Sequence, residues 1–184
     1  MGRSGGDPGT SCAAEAKGRI VVLGVGNILL RDEGAGVRAL QRLEARYLFP
    51  PEVELIDGGV LGLNLMAVLE GAQRVIVLDC VRGGKRPGEL HLFDFAEIPP
   101  RVRYKDSLHQ LDLVETMSLL PLTGETPPTW VVGIEPDSLD PWGMELSPAV
   151  EAGLEGMIQA VLEELRRLGV EPVQREEEGP APAI

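Results

Sequence analysis

Gly24-Val25-Gly26-Asn27-Ile28-Leu29-Leu30-Arg31-Asp32-Glu33-Gly34-Ala35-Gly36-Val37 is the stretch whose reading decides the fold. Before it runs Ile20-Val21-Val22-Leu23, an apolar series that reads as a buried strand. After it, Val37, Leu40, Leu43 and Tyr47 recur at helical spacing, so the stretch is a strand-to-helix connection. Its glycines permit a tight turn and close backbone approach. Asp32 and Glu33 bring two carboxylates to the start of the helix, where negative charge is favourable. Helix capping and a functional carboxylate at the mouth of an α/β sheet both fit that placement.

Outward from this turn the chain alternates strand and helix. A strand over Arg19–Leu23 leads through the turn to a helix from Glu33 to Tyr47, which stops before Pro50-Pro51. A strand at Val53–Ile56 runs into Asp57-Gly58-Gly59, and Leu61, Leu65, Val68 and Leu69 predict a second helix. The next strand, Arg74–Leu78, ends at Asp79-Cys80. Gly83 to Gly88 is a loop by composition, Glu89–Phe93 a fourth strand and Trp130–Ile134 a fifth. Leu108-His109-Gln110 opens a helix between them. The last helix has Ser147 as N-cap, Pro148 in the first turn, a long apolar stripe from Val150 to Leu168, and Gly169 as its stop. One α/β domain is expected over residues 19–173, with disordered extensions at 1–18 and, acidic and Pro-rich, at 174–184.

Consecutive strands joined through helices are usually parallel, so their carboxyl ends share one edge of the sheet. Asp57, Asp79 and the Asp32-Glu33 pair each follow a strand's carboxyl end. They are expected to gather on the edge where open α/β sheets bind ligands.

Composition narrows the function. A formal net charge of −12 argues against a nucleic-acid partner, which needs clustered Lys and Arg, and 4% aromatic content leaves no stacking platform. No apolar run approaches the roughly 18 residues that span a membrane. Cys12 and Cys80 form neither a disulfide framework nor a CxxC metal pair, and a reducing cytoplasm is the expected compartment. There is no phosphate loop of the GxxxxGK[ST] kind and no GxSxG elbow. Gly24-Val25-Gly26 has part of a dinucleotide fingerprint, but Leu29 stands where the third glycine should be.

Of the two histidines, His91 alternates with Leu90 and Leu92 in a strand and reads as structural. His109 stands where a loop enters a helix, beside Ser107 and Gln110. One imidazole with two or three carboxylates is a mixed donor set suited to a divalent transition metal. Cys80, among acids that raise a thiol pKa, reads as packing.

These residues closely resemble the nickel–iron hydrogenase maturation endopeptidases. The matching pieces are the stretch from Gly24 to Arg38, Asp57-Gly58-Gly59, Asp79 after its strand, Ser107-Leu108-His109-Gln110-Leu111, and Ile134-Glu135-Pro136 with Leu146-Ser147-Pro148. They stand in the family's order over roughly residues 19–173. The resemblance implies a three-layer α/β sandwich, with a mostly parallel five-stranded sheet between helices and one strand antiparallel. It implies removal of a short C-terminal peptide from the hydrogenase large-subunit precursor once nickel is inserted. Glu33, Asp79 and His109 fall on the family's metal-contacting and catalytic positions. Asp57, Gly58 and Gly59 match a segment associated with substrate handling. On this reading nickel belongs to the substrate, the free enzyme holds no tight cofactor, and hydrolysis is aspartic-type or metal-assisted. The protein is expected to act as a cytoplasmic monomer. A non-catalytic nickel-sensing escort for the same precursor is the alternative.

Overall fold

The computed structural model describes residues 18–59, 65–98, 126–138 and 143–176. Strand β1 (Ile20–Val25) is buried at every position, as expected of a central strand covered on both faces. A 3-10 turn (Arg31–Gly34) leads into α1 (Ala35–Arg46), so the helix expected from Glu33 begins one tight turn later. Two-residue β2 (Tyr47–Leu48) and strand β3 (Val53–Gly59) follow. Next come α2 (Leu65–Leu69), β4 (Arg74–Cys80), β5 (Leu90–Asp94), β6 (Thr129–Ile134), α3 (Pro148–Arg167) and β7 (Val173–Gln174).

The main sheet has the order β3-β1-β4-β6-β5. Its β1–β3, β1–β4 and β4–β6 pairs are parallel, and β5 alone runs antiparallel, against β6. This is the mostly parallel five-stranded sheet between helices that the sequence predicts. One face carries α1 and α3, with Val22, Ile76, Leu78, Val132 and Ile134 packed beneath them. The opposite face, with Val21, Leu23, Val75, Val77 and Val131, packs on Leu69 and Val68 of α2.

Helix α3 supplies much of the first core. Leu154, Met157, Ile158, Val161 and Leu165 are fully buried at helical spacing. Each such side chain contributes about 1.5–3 kcal/mol of burial. Ser147 Oγ caps the helix by accepting from Val150 N–H at 3.4 Å, and Gly169 ends it with a positive φ of 75° that costs glycine nothing.

The carboxyl-terminal boundary differs from expectation. Val173–Gln174 forms β7, antiparallel to β2, with Leu48 opposite Val173 and Tyr47 opposite Gln174. Arg175 N–H donates to the Arg46 carbonyl at 2.8 Å and its Nε to the Tyr47 carbonyl at 3.3 Å. Residues 174 and 175, read as the start of a solvated tail, are tied down through their backbone. Residues 1–17 and 177–184, the remainder of the two expected extensions, lie outside the described residues.

Candidate active site

The strand order reverses between β1 and β4. From β1 the chain passes first to β3 on one side, then to β4 on the other. In open α/β sheets such a switch point leaves a crevice outside the carboxyl ends of the two strands. Here those ends carry the turn with Asp32 and Glu33 on the β1 side and Asp79 on the β4 side.

Glycines press the turn against both strands. A side chain at Gly36 would collide with the carbonyl oxygens of Leu78 and Val25, so α1 starts directly over the ends of β4 and β1. Gly26 has a φ of 128°, and a Cβ there would strike the Glu33 carbonyl oxygen. Only glycine serves at that point, for conformation and for space.

Asp32 and Glu33 then diverge. Asp32 is fully buried and its carboxylate is taken up by backbone. Oδ2 accepts from the N–H groups of Asp137 and Ser138, both at 3.0 Å, and Oδ1 accepts from Ser147 N–H at 2.7 Å. It latches the turn to the loop after β6 and to the start of α3. The same loops meet again where Arg31 N–H donates to the Gly143 carbonyl at 2.7 Å and Arg38 to the Met144 carbonyl at 2.8 Å.

Glu33 is 8% exposed. Burial pushes its carboxyl above the ordinary value, while the Arg82 guanidinium draws it partly back. Asp79 is fully buried at the end of β4, and its Oδ1 accepts from Cys80 N–H at 2.7 Å. Burial drives the Cys80 thiol well above its usual range, and the charges of Asp79, Asp32 and Glu33 push it further. All three acids therefore bear on one point of the crevice, and the thiol there is the opposite of an activated nucleophile.

Asp57 does not join them. It pairs with Gly24, which pairs in turn with Leu78, so Asp57 shares a row with Leu78 and points to the face opposite Asp79. Exposed, it borders a pocket of about 310 Å³ with Gly26, Asn27, Ile28, Leu29 and Gly59, while Gly58 is buried against Leu23. The expected gathering of acids thus splits, with Glu33 and Asp79 in the switch-point crevice and Asp57 across β1. His109 and the helix expected around it lie outside the described residues. Among the described residues no three His, Cys, Asp or Glu side chains are gathered as a metal site.

His91 is structural, as its strand alternation predicts. Its Nε2 lies 2.7 Å from Glu135 Oε2, both side chains being buried. Burial works to raise the Glu135 carboxyl, but hydrogen bonds from Gly83, His91 and Lys85 outweigh it and hold the group below its ordinary value. Sequence reasoning gave Glu135 no role beyond its place in a matching motif and passed over Arg82. Arg82 stands exposed three residues beyond Asp79, and its strand-end position was the available signal.

Fold and site define a small α/β protein with three buried acids, Asp32, Glu33 and Asp79, at its strand-order reversal. The hydrogenase maturation protease family model matches residues 37–164. The hydrogenase 2 maturation protease of Escherichia coli (strain K12) is 42% identical over 160 residues, covering 86% of this chain and 97% of its own. The hydrogenase expression/formation protein HoxM of Cupriavidus necator is 37% identical over 168 residues, covering 90% of this chain and 83% of its own. The structure of the hydrogenase maturating endopeptidase HybD from E. coli superposes with a TM-score of 0.79 at 42% identity, covering 85% of this chain and 98% of that one. The chain therefore belongs to the hydrogenase maturation protease family, and its activity class is that of an endopeptidase.

Proposed function

We propose that the protein removes a short C-terminal peptide from a hydrogenase large-subunit precursor after nickel insertion, reading that nickel through Glu33, Asp79 and His109. The observation that carries this reading is that Glu33, in the turn after β1, and Asp79, at the end of β4, both stand at the strand-order reversal. Two carboxylates and an imidazole can add to nickel already held by the precursor, since both donor types suit such an ion. The metal belongs to the substrate, and the enzyme carries no cofactor of its own. Asp57, Gly58 and Gly59, on the far side of β1, handle the adjoining part of the precursor.

Hydrolysis then needs a base for water. A carboxylate whose proton affinity is raised by burial, as at Glu33, is a stronger base toward that water than an ordinary carboxylate. Metal-assisted hydrolysis with a carboxylate base describes this better than a thiol mechanism. The enzyme works as a monomer in the cytoplasm, where large-subunit precursors mature. Among the described residues no helix is long and apolar enough to cross a membrane.

The test compares nickel-loaded and nickel-free precursor at equal enzyme without added metal, reading the mass of the large subunit. Cleavage of the loaded form alone is expected. Equal cleavage of both would replace substrate-metal recognition with an ordinary metallopeptidase, and cleavage of neither would favour a non-catalytic escort.

A further inference from the structure

We propose that Arg82 is a further catalytic residue, contacting the scissile carbonyl oxygen, and that Glu135 with His91 is the strap that positions it; this rests on the peptidase reading above. The connection from β4 to β5 starts immediately beyond Asp79-Cys80, and backbone bonds pin it on both sides of Arg82. Ahead of it, Val81 N–H donates to the Ile134 carbonyl at 2.9 Å. Behind it, Gly83 and Lys85 N–H groups donate to Glu135 Oε2 at 2.8 and 3.1 Å. Gly88 N–H donates to the Glu135 carbonyl at 2.8 Å, and Glu135 N–H to the Glu89 carbonyl at 2.9 Å. His91 Nε2 reaches the same carboxylate oxygen, and a Cβ at Gly83 would collide with the imidazole ring, so the loop lies flat on the pair.

What this strap holds in place is the backbone of an exposed arginine just past the end of β4, three residues beyond Asp79, in a chain of net charge −12. Its positive charge opposes the upward push of burial on Glu33 and Cys80. Its guanidinium presents a planar fork of donors, which loses less rotamer entropy per hydrogen bond formed than a lysine would.

Peptide hydrolysis needs such a group. Water oxygen bonds to the carbonyl carbon, the C=O π pair moves onto oxygen, and a site carboxylate takes the water proton. The C–N bond then breaks and the amine nitrogen receives that proton. Between these events the carbonyl oxygen is an anion, and ionised carboxylates of the same sign cannot stabilise it. A fixed donor aimed at that oxygen acts where charge develops and so raises kcat rather than lowering KM.

The experiment measures kcat and KM on nickel-loaded precursor for wild type, Arg82→Ala, Arg82→Lys, Glu135→Gln and the Arg82→Ala/Glu135→Gln double variant, with thermal midpoints alongside. Arg82→Ala is expected to lower kcat by about 10²–10³-fold with KM within a few-fold, and Arg82→Lys to recover part of it. Glu135→Gln should lower kcat in a folded protein, and adding Arg82→Ala should cost less than the product of the single losses, as residues acting through one another do. If Glu135→Gln does not fold, His91→Phe, which keeps the ring but removes its hydrogen bond to the Glu135 carboxylate, takes its place. Unchanged kcat in Arg82→Ala, or a loss confined to KM, overturns the catalytic assignment. Fully multiplicative losses overturn the positioning role. Absence of cleavage by wild type itself overturns the peptidase reading and this assignment with it.

Discussion

Asp32 and Glu33 are neighbours in one tight turn, share a charge and are both buried, yet they occupy opposite roles. Asp32 is surrounded by backbone N–H groups from two distant segments and works as an internal fastener. Glu33 has its proton affinity lifted by burial and lies under the field of Arg82. A carboxylate supplied with several amide donors can serve the fold, whereas one whose charged form is disfavoured by burial costs stability, which is the setting that the role proposed for Glu33 calls for. The same residue class one position apart is thus divided by environment alone.

The sharpest way to break this contrast is to remove each charge separately. Glu33→Gln is expected to lower cleavage by more than about 10²-fold while the protein stays folded. Because the folded value of Glu33 is raised, its charge costs stability above the ordinary carboxylate range, and the cost disappears as pH falls below that range. The variant's midpoint should therefore be unchanged or higher at neutral pH. A large fall in midpoint would place Glu33 with Asp32 as a fastener.

Asp32→Asn should do the reverse. The amide can accept at only one atom and turns its own N–H groups toward backbone donors, so about 3 kcal/mol of stability is expected to be lost. For a domain of this size that is a fall of about 6–12 °C in melting temperature. Calorimetry showing no shift would mean the three backbone contacts are dispensable.

The other fastening carboxylate gives a smaller, pH-dependent effect. Glu135 is held below its ordinary value, so its contribution is complete above the unfolded value and is lost as pH falls through the folded one. Acid unfolding of wild type should include a proton uptake that Glu135→Gln lacks, seen as a stability loss toward acid pH that the variant does not share. Superimposable stability–pH curves would contradict it.

Smallest is Cys80→Ala, in which a buried thiol of raised pKa is trimmed. Cleavage should stay within about two-fold, at a cost of about 1 kcal/mol for the lost packing. Abolished cleavage in a folded Cys80→Ala protein would return a thiol nucleophile to the mechanism.

Much of this contrast was out of reach of the sequence for a physical reason. The central strands are continuous apolar runs and α3 is a long stripe with a cap and a stop, so local periodicity identifies them. The choice between Asp32 and Glu33 depends on amides at Asp137, Ser138 and Ser147, more than a hundred residues away. Family resemblance pointed to Glu33, and the structure adds that its neighbour Asp32 is taken up by backbone amides. Asp57 was rightly placed at a strand's carboxyl end, yet its face depends on a register that pairs it with Gly24. Strands β2 and β7 are too short to show any period and are joined through backbone groups. Arg82 and Glu135 belong to a loop whose path is set by hydrogen bonds rather than by apolar pattern.

The Asp32 fastener also orders events on the ribosome. Glu33 and Asp79 emerge early, but the amides that seat their turn belong to the loop after β6 and the start of α3, among the later segments made. A nascent chain released before Ser147 would contain both acids of the crevice with one of the three amides missing. Contacts of such long sequence separation form late and slowly. Completion of the fastener therefore waits for synthesis through Ser147, so that a shorter nascent chain holds the acids without the contacts that seat their turn.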